Sequence, residues 1–180
     1  MQDTPTTHSD LWVRDVASNG AARPLINTAA REYGGRVSPD NRWLAFFSDE
    51  SGKFELYVAP FPAGTPRYRI ATPDLGGDSP RVREAVWARN GRELFFRRGA
   101  QMFSIAVPVS GEPPIDPAPV LFEKDYFAVG GPGIVNYDVA PNGRFLMLRP
   151  VDTAPPKNDL RPFGSERACR AAEPGRVADV

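Results

Sequence analysis

Histidine and cysteine are almost missing: His8 and Cys169 are the only examples among 180 residues. One cysteine excludes an intramolecular disulfide framework and a cysteine-rich zinc site. One histidine, in the polar leader MQDTPTTHSD, excludes a histidine pair for a metal. It also argues against a histidine-based catalytic triad. Net charge is missing too, with 22 basic side chains against 22 acidic ones interspersed along the chain. Without a basic face there is nothing to neutralise phosphates, so neither nucleic acid nor an anionic membrane is an expected partner. The longest apolar run, Trp43 to Phe47, falls far short of the roughly 20 residues of a membrane helix. The leader lacks the basic start and apolar stretch of a secretory signal, so the chain as written is expected in the cytoplasm. The compartment of any longer parent protein stays open.

Phosphate and calcium loops are lacking as well. No glycine-rich stretch ends in Lys-Ser or Lys-Thr, and Gly130-Gly131-Pro132-Gly133 loses a backbone donor to its proline. No Asp-x-Asp-x-Asp-Gly spacing wraps a calcium ion, and the adjacent carboxylates Asp49-Glu50 read as a solvated turn. Gly77-Asp78-Ser79 lacks the second glycine of a nucleophile elbow and reads as turn chemistry. No cofactor, metal or catalytic residue is therefore expected.

What is abundant is punctuation: 20 prolines and 16 glycines, a fifth of the chain, favour short strands and many turns over long helices. The turns repeat. Ser38-Pro39-Asp40-Asn41-Arg42 leads into Trp43-Leu44-Ala45-Phe46-Phe47, and Ala88-Arg89-Asn90-Gly91-Arg92 into Glu93-Leu94-Phe95-Phe96. Ala140-Pro141-Asn142-Gly143-Arg144 leads into Phe145-Leu146-Met147-Leu148. A period of about 50 residues is the length of a four-stranded unit. In each copy a tight turn joins a short apolar approach to a strand too apolar to be half exposed, which predicts strands buried on both faces. Asn41, Asn90-Gly91 and Asn142-Gly143 supply the positive φ that hairpins demand. Third and fourth strands follow at 54–58 and 68–71, and at 102–107 and 120–123.

The chain opens in mid-unit, since 11–16 matches third strands and 23–26 fourth strands. It closes on a first pair at 135–140 and 145–149, after which Pro150, Pro155 and Pro156 break any ladder. The expected fold is all-β, an incomplete β-propeller arc of about three four-stranded blades with disordered termini. A disordered leader spans 1–9, the partial propeller spans 10–150 as a half blade, two full blades and a half blade, and a disordered tail spans 151–180. In that tail, 12 of the 20 residues from Arg161 to Val180 are Arg, Ala, Pro or Gly, without apolar periodicity.

These turns resemble the WD-repeat-like β-propeller repeats of the bacterial TolB type, whose blades carry Ser-Pro-Asp-Gly-Arg before an apolar strand. The stretch SPDNRWLAFFSDESGKFELYVAPFP, with AVWARNGRELFFRRG and YDVAPNGRFLMLRP after it, is similar to the propeller region that follows the kinase domain of bacterial serine/threonine kinases. Asn41 stands where the pattern has Gly, Arg89 and Asn90 where it has Pro and Asp, and Asn142 where it has Asp. All are turn formers. The resemblance implies a non-catalytic sensor or interaction module. Alternatives are a propeller fragment of a prolyl-oligopeptidase-like serine peptidase, or a truncated remnant without function.

Trp43, Trp87, Phe46, Phe47, Phe95 and Phe96, taken as recurring at matching repeat positions, are expected in the core rather than as base-stacking platforms. Arg36, Arg81 and Arg83 are placed just before innermost strands, on the rim where a protein or small ligand would dock at the loops. Open strand edges add self-association as a further expectation.

Overall fold

The computed structural model describes residues 9–71, 82–113, 118–126 and 134–149. Their strands are β1 (Leu11–Val13), β2 (Arg23–Ile26), β3 (Glu32–Val37), β4 (Trp43–Ser48), β5 (Glu55–Pro60) and β6 (Tyr68–Arg69). They continue as β7 (Val82–Trp87), β8 (Glu93–Arg98), β9 (Gln101–Ala106), β10 (Val120–Glu123), β11 (Tyr137–Val139) and β12 (Phe145–Met147). Two four-stranded antiparallel sheets, β3-β4-β5-β6 and β7-β8-β9-β10, lie between the two-stranded sheets β1-β2 and β11-β12. The class is all-β; each four-stranded sheet is one whole unit of the repeat, here called a blade, and each two-stranded sheet half of one. Among the described residues no helix is long and apolar enough to cross a membrane. The Gly76–Pro80 and Gly130–Gly133 loops, Ser79, His8, Cys169 and the tail lie outside the described residues.

The repeated turns occupy equivalent places. The amides of Asn41, Gly91 and Gly143 each donate to a carbonyl three residues back, on Ser38, Ala88 and Ala140, at 2.9 Å. The φ angles there are 58°, 68° and 79°. Positive φ is thus confined to one residue per turn, which corrects the expectation for Asn90 and Asn142. Those two act through their side chains: Asn90 Oδ1 accepts from Arg92 N at 2.9 Å, and Asn142 Oδ1 from Arg144 N at 3.2 Å. Asp40 Oδ1 does the same for Arg42 N at 3.2 Å. Each side chain satisfies an amide that the turn would otherwise leave open. The first turn adds buried Ser38, whose hydroxyl donates to Asp40 Oδ1 at 2.6 Å and accepts from Trp43 N at 3.0 Å. That bond to Ser38 is the main reason that the Asp40 carboxyl is held below its ordinary pKa. The third hairpin is shorter. Val37 faces Leu44 and Trp87 faces Leu94, but Val139 faces Phe145, so Phe145 holds the place of Leu44 and Leu94.

Alternation along the strands explains how the sheets stack. Trp43, Ala45 and Phe47 point to one face of β4 and join Leu94, Phe96, Phe103 and Ile105 in the core between the two whole blades. Leu44 and Phe46 point to the other face, against Ile26, Leu11 and Leu25 of the first half blade. In β8, Phe95 turns away from the central core and packs with Met102, Tyr137 and Val139 toward the last half blade. A strand whose two faces each cover a neighbouring sheet has no room for polar alternation, and β4 is buried throughout. The aromatic core expectation holds, with one correction on position. Trp43 begins β4 where Glu93 begins β8, and Trp87 ends β7 where Val37 ends β3, so the tryptophans do not recur. A second correction concerns β12, which is half exposed because its outer face meets no sheet among the described residues.

Candidate binding site

The inner strands β3, β7 and β11 line a groove of about 350 Å³ formed by Arg36, Val37, Ala85, Val86, Trp87, Val135, Tyr137 and Asp138 with Pro39. Its floor is pinned between blades. Trp87 Nε1 donates to the Arg36 carbonyl at 2.9 Å, and on the far side of the same interface Trp43 Nε1 donates to the Pro108 carbonyl at 2.9 Å. Each bond satisfies a buried indole and fixes the separation of two sheets that apolar packing alone would let slide. The turns meet as well: a Cβ at Gly91 would lie 3.0 Å from Asp40 Cγ.

The inner strands are irregular. β3 slips register between Tyr33 and Arg36, and β7 between Arg83 and Val86. The bulges carry Gly34 at φ 67° and Glu84 at φ 60°. For a non-glycine residue the left-handed region costs about 1–2 kcal/mol, and Glu84 is held there by its partners. Buried Glu84 accepts from Asn136 Nδ2 at 3.0 Å and faces Arg97 Nη1 at 3.4 Å. Arg97 Nη2 donates to the carbonyls of Gly99 at 3.3 Å and Tyr126 at 3.1 Å. Tyr137 Oη lies 2.6 Å from the Glu84 carbonyl and 3.0 Å from that of Phe95, two acceptors that share its proton. Burial, then the Glu84 charge, pushes the Tyr137 hydroxyl well above its ordinary pKa, so it stays a donor. This network joins the second whole blade to β11 beneath the groove.

A larger hollow, about 780 Å³, opens among Thr28, Arg31, Asp49, Glu50 and Gly52. Its carboxylates already hold cations. Asp49 accepts from Arg31 N at 2.8 Å and Arg31 Nε at 2.7 Å, and Glu50 pairs with Arg67 at 3.0 Å. The backbone bond from Arg31 leads the causes that lower the Asp49 carboxyl below its ordinary pKa. Among the described residues no group of three or more His, Cys, Asp or Glu is placed to hold a metal.

Beside this hollow Glu32 is buried, takes the Thr28 hydroxyl on Oε1 and leaves Oε2 without a partner. Desolvation raises its pKa above the ordinary 4.5, outweighing the Thr28 bond that lowers it, and Asp10 adds to the rise. A raised folded value means that the proton is bound more tightly in the folded chain. The stabilisation is present in full below the ordinary value and is lost as pH climbs through the folded one. Glu32→Gln, neutral at every pH, is therefore expected to melt higher than the parent at pH 7 and alongside it at pH 4. Thermal unfolding followed by circular dichroism at the two values checks this, and an unchanged difference would refute it.

Of the residues singled out from sequence, Arg36 lines the groove with its side chain exposed. It lies inside β3 rather than before it, and Arg83 lies inside β7, paired through its backbone with Arg97. Arg81 lies outside the described residues, as does the Arg83 side chain. Sequence reading missed Asp138, Tyr137 and the Glu84–Arg97 pair. The available signal was one acid and one base interrupting adjacent apolar strands at Glu84 and Arg97.

No family model and no curated protein matches the chain. A solved structure provisionally described as TolB from Agrobacterium tumefaciens is similar over 77% of this chain and 49% of its own length, with 19% identity and a TM-score of 0.48. The chain thus spans about half the length of that structure.

Proposed function

We propose that the chain is a non-catalytic binding module whose groove across β3, β7 and β11 takes a short linear peptide with an apolar centre and charges of both signs. The observation that carries this reading is the order of three side chains. Arg36, Val86 and Asp138 each stand one residue before the last of their inner strands, and all three line one groove. A cation, an apolar group and an anion thus follow one another across neighbouring strands, and Ala85 and Trp87 add apolar lining to the same groove. Fixed polar groups at the margins of an apolar cleft orient a ligand while the cleft desolvates it. The bulges in β3 and β7 disfavour simple strand addition along those edges, which leaves the groove as the docking mode.

The capped peptide Asp-Leu-Ala-Leu-Lys is the probe. Methyl resonances of Val37, Val86 and Val135 are expected to shift on titration. Arg36→Glu is expected to weaken binding about tenfold, the ~1.4 kcal/mol of one charge-assisted contact. Absence of methyl shifts at millimolar peptide, or shifts indifferent to Arg36→Glu, would overturn the reading.

We further propose descent of the module from the C-terminal propeller of a bacterial serine/threonine kinase, which the likeness of the 38–62 stretch supports. A kinase domain encoded upstream in the same frame would agree. A Gly-x-Ser-x-Gly hydrolase downstream would replace this origin by the peptidase one.

A further inference from the structure

The half blades are complementary. β11-β12 repeats the hairpin of β3-β4 and β7-β8, the first pair of a sheet. β1-β2 repeats the second pair, with Leu11-Trp12-Val13 standing for Leu56-Tyr57-Val58 of β5. In a whole sheet the second strand pairs antiparallel with the third, so β12 has an edge for a strand of the β1 kind, and β1 for one of the β12 kind.

Burial at matching positions shows what each half blade lacks. With Phe145 in the place of Leu44 and Leu94, Leu146 matches Ala45 and Phe95. These are 0% and 5% exposed, but Leu146 is 73% exposed. Leu148 matches Phe47, 50% against 1%. On the other half blade Trp12 matches Tyr57 and Phe103, which are 3% and 0% exposed against its 58%. Leu146 and Leu148 lie on the face that in a whole blade meets the following sheet. Trp12 lies on the face that meets the preceding one. The bare faces are therefore opposite in sense, and each is the surface that the other half blade would bring under cover.

We infer that two copies of this chain associate about a two-fold axis, β12 of each pairing antiparallel with β1 of the other, so that two hybrid four-stranded sheets complete the blades. Leu146 of one copy then lies opposite Val13 of the other, as Ala45 lies opposite Val58, and Met147 opposite Trp12, as Phe46 lies opposite Tyr57. Leu146 and Leu148 come to rest against the first whole blade of the second copy, beside Leu44 and Phe46. Trp12 meets the outer face of the second whole blade, beside Phe95 and Met102. Every contact occurs twice, as an isologous dimer requires. Four whole and two hybrid sheets give six blades, within the range that closes a propeller.

Sedimentation of the purified chain over a concentration series is expected to show a species of twice the 19.7 kDa chain mass. Trp12→Arg and Leu146→Arg, both at exposed sites that leave the monomer folded by circular dichroism, are each expected to raise the dimer dissociation constant at least tenfold. In a Cys169→Ser background, the double variant Val13→Cys with Leu146→Cys is expected to oxidise to a covalent dimer. A monomer at every soluble concentration overturns the inference, as does an intrachain bond in the double variant, which would mean that the halves pair within one copy. Larger open assemblies, or a dimer indifferent to both arginine variants, overturn it as well.

Discussion

Arg97→Phe alone is expected to destabilise the chain by about 3–5 kcal/mol, the cost of leaving one member of a buried ion pair without its partner. Glu84 would stay buried, its carboxylate still taking the Asn136 amide at 3.0 Å but facing no guanidinium. Glu84→Gly alone relieves the left-handed backbone at φ 60° but strands Arg97 in the same way. The combination behaves differently, because the first whole blade already contains it: Gly34 takes the bulge at φ 67°, and Phe47 takes the place of Arg97. Glu84→Gly with Arg97→Phe should therefore recover most of the loss, since replacing a buried ion pair by apolar groups is often neutral or stabilising. The coupling between the two sites, read from urea midpoints in a double-mutant cycle, is expected at about 3 kcal/mol or more, because the double variant escapes most of both single losses. Additive losses would show that the pair does not act as a unit.

The same comparison explains what sequence could reveal. A hairpin is local: its turn residues and the apolar run after it lie within ten positions, so Asp40, Asn90 and Asn142 could be placed from composition and spacing alone. Which sheet covers which face is not local. Leu44 and Leu146 are both leucines in apolar strands, yet one is buried and the other exposed, because burial depends on a sheet remote in sequence. The shortened third hairpin added a one-residue offset that moved Phe145, rather than Leu146, into the place of Leu44. A one-residue slip exchanges the faces of a strand. The groove was legible only at Arg36. Its other determinants come from the ends of β7 and β11, which approach β3 only once the blades have stacked. Glu84 and Arg97 each interrupt an apolar strand in the sequence, but that pattern does not tell a charge that turns outward from one paired across a bulge.

Phe96→Ala should have the largest effect of any single truncation in the central core, about 3–5 kcal/mol. Phe96 is fully buried, stacks on Phe103 at 5.3 Å with an interplanar angle of 8°, and belongs to the layer that welds the two whole blades. The layer contains the indoles of Trp43 and Trp87, which are fixed by interblade bonds to Pro108 and Arg36, so collapse around the void is restricted and the cavity cost persists. A domain of this size has a net stability of about 5–15 kcal/mol, so the loss removes a large share of it. Phe96→Leu, which keeps most of the volume, should cost less than half as much. Leu146→Ala, on a strand of the same hairpin family but with an exposed side chain, should change the stability of the isolated monomer by less than about 0.5 kcal/mol. Urea unfolding of the three variants, with monomer confirmed by sedimentation, tests the order. Equal losses for Phe96→Ala and Leu146→Ala would contradict the stacking of sheets on which both the groove and the paired half blades depend.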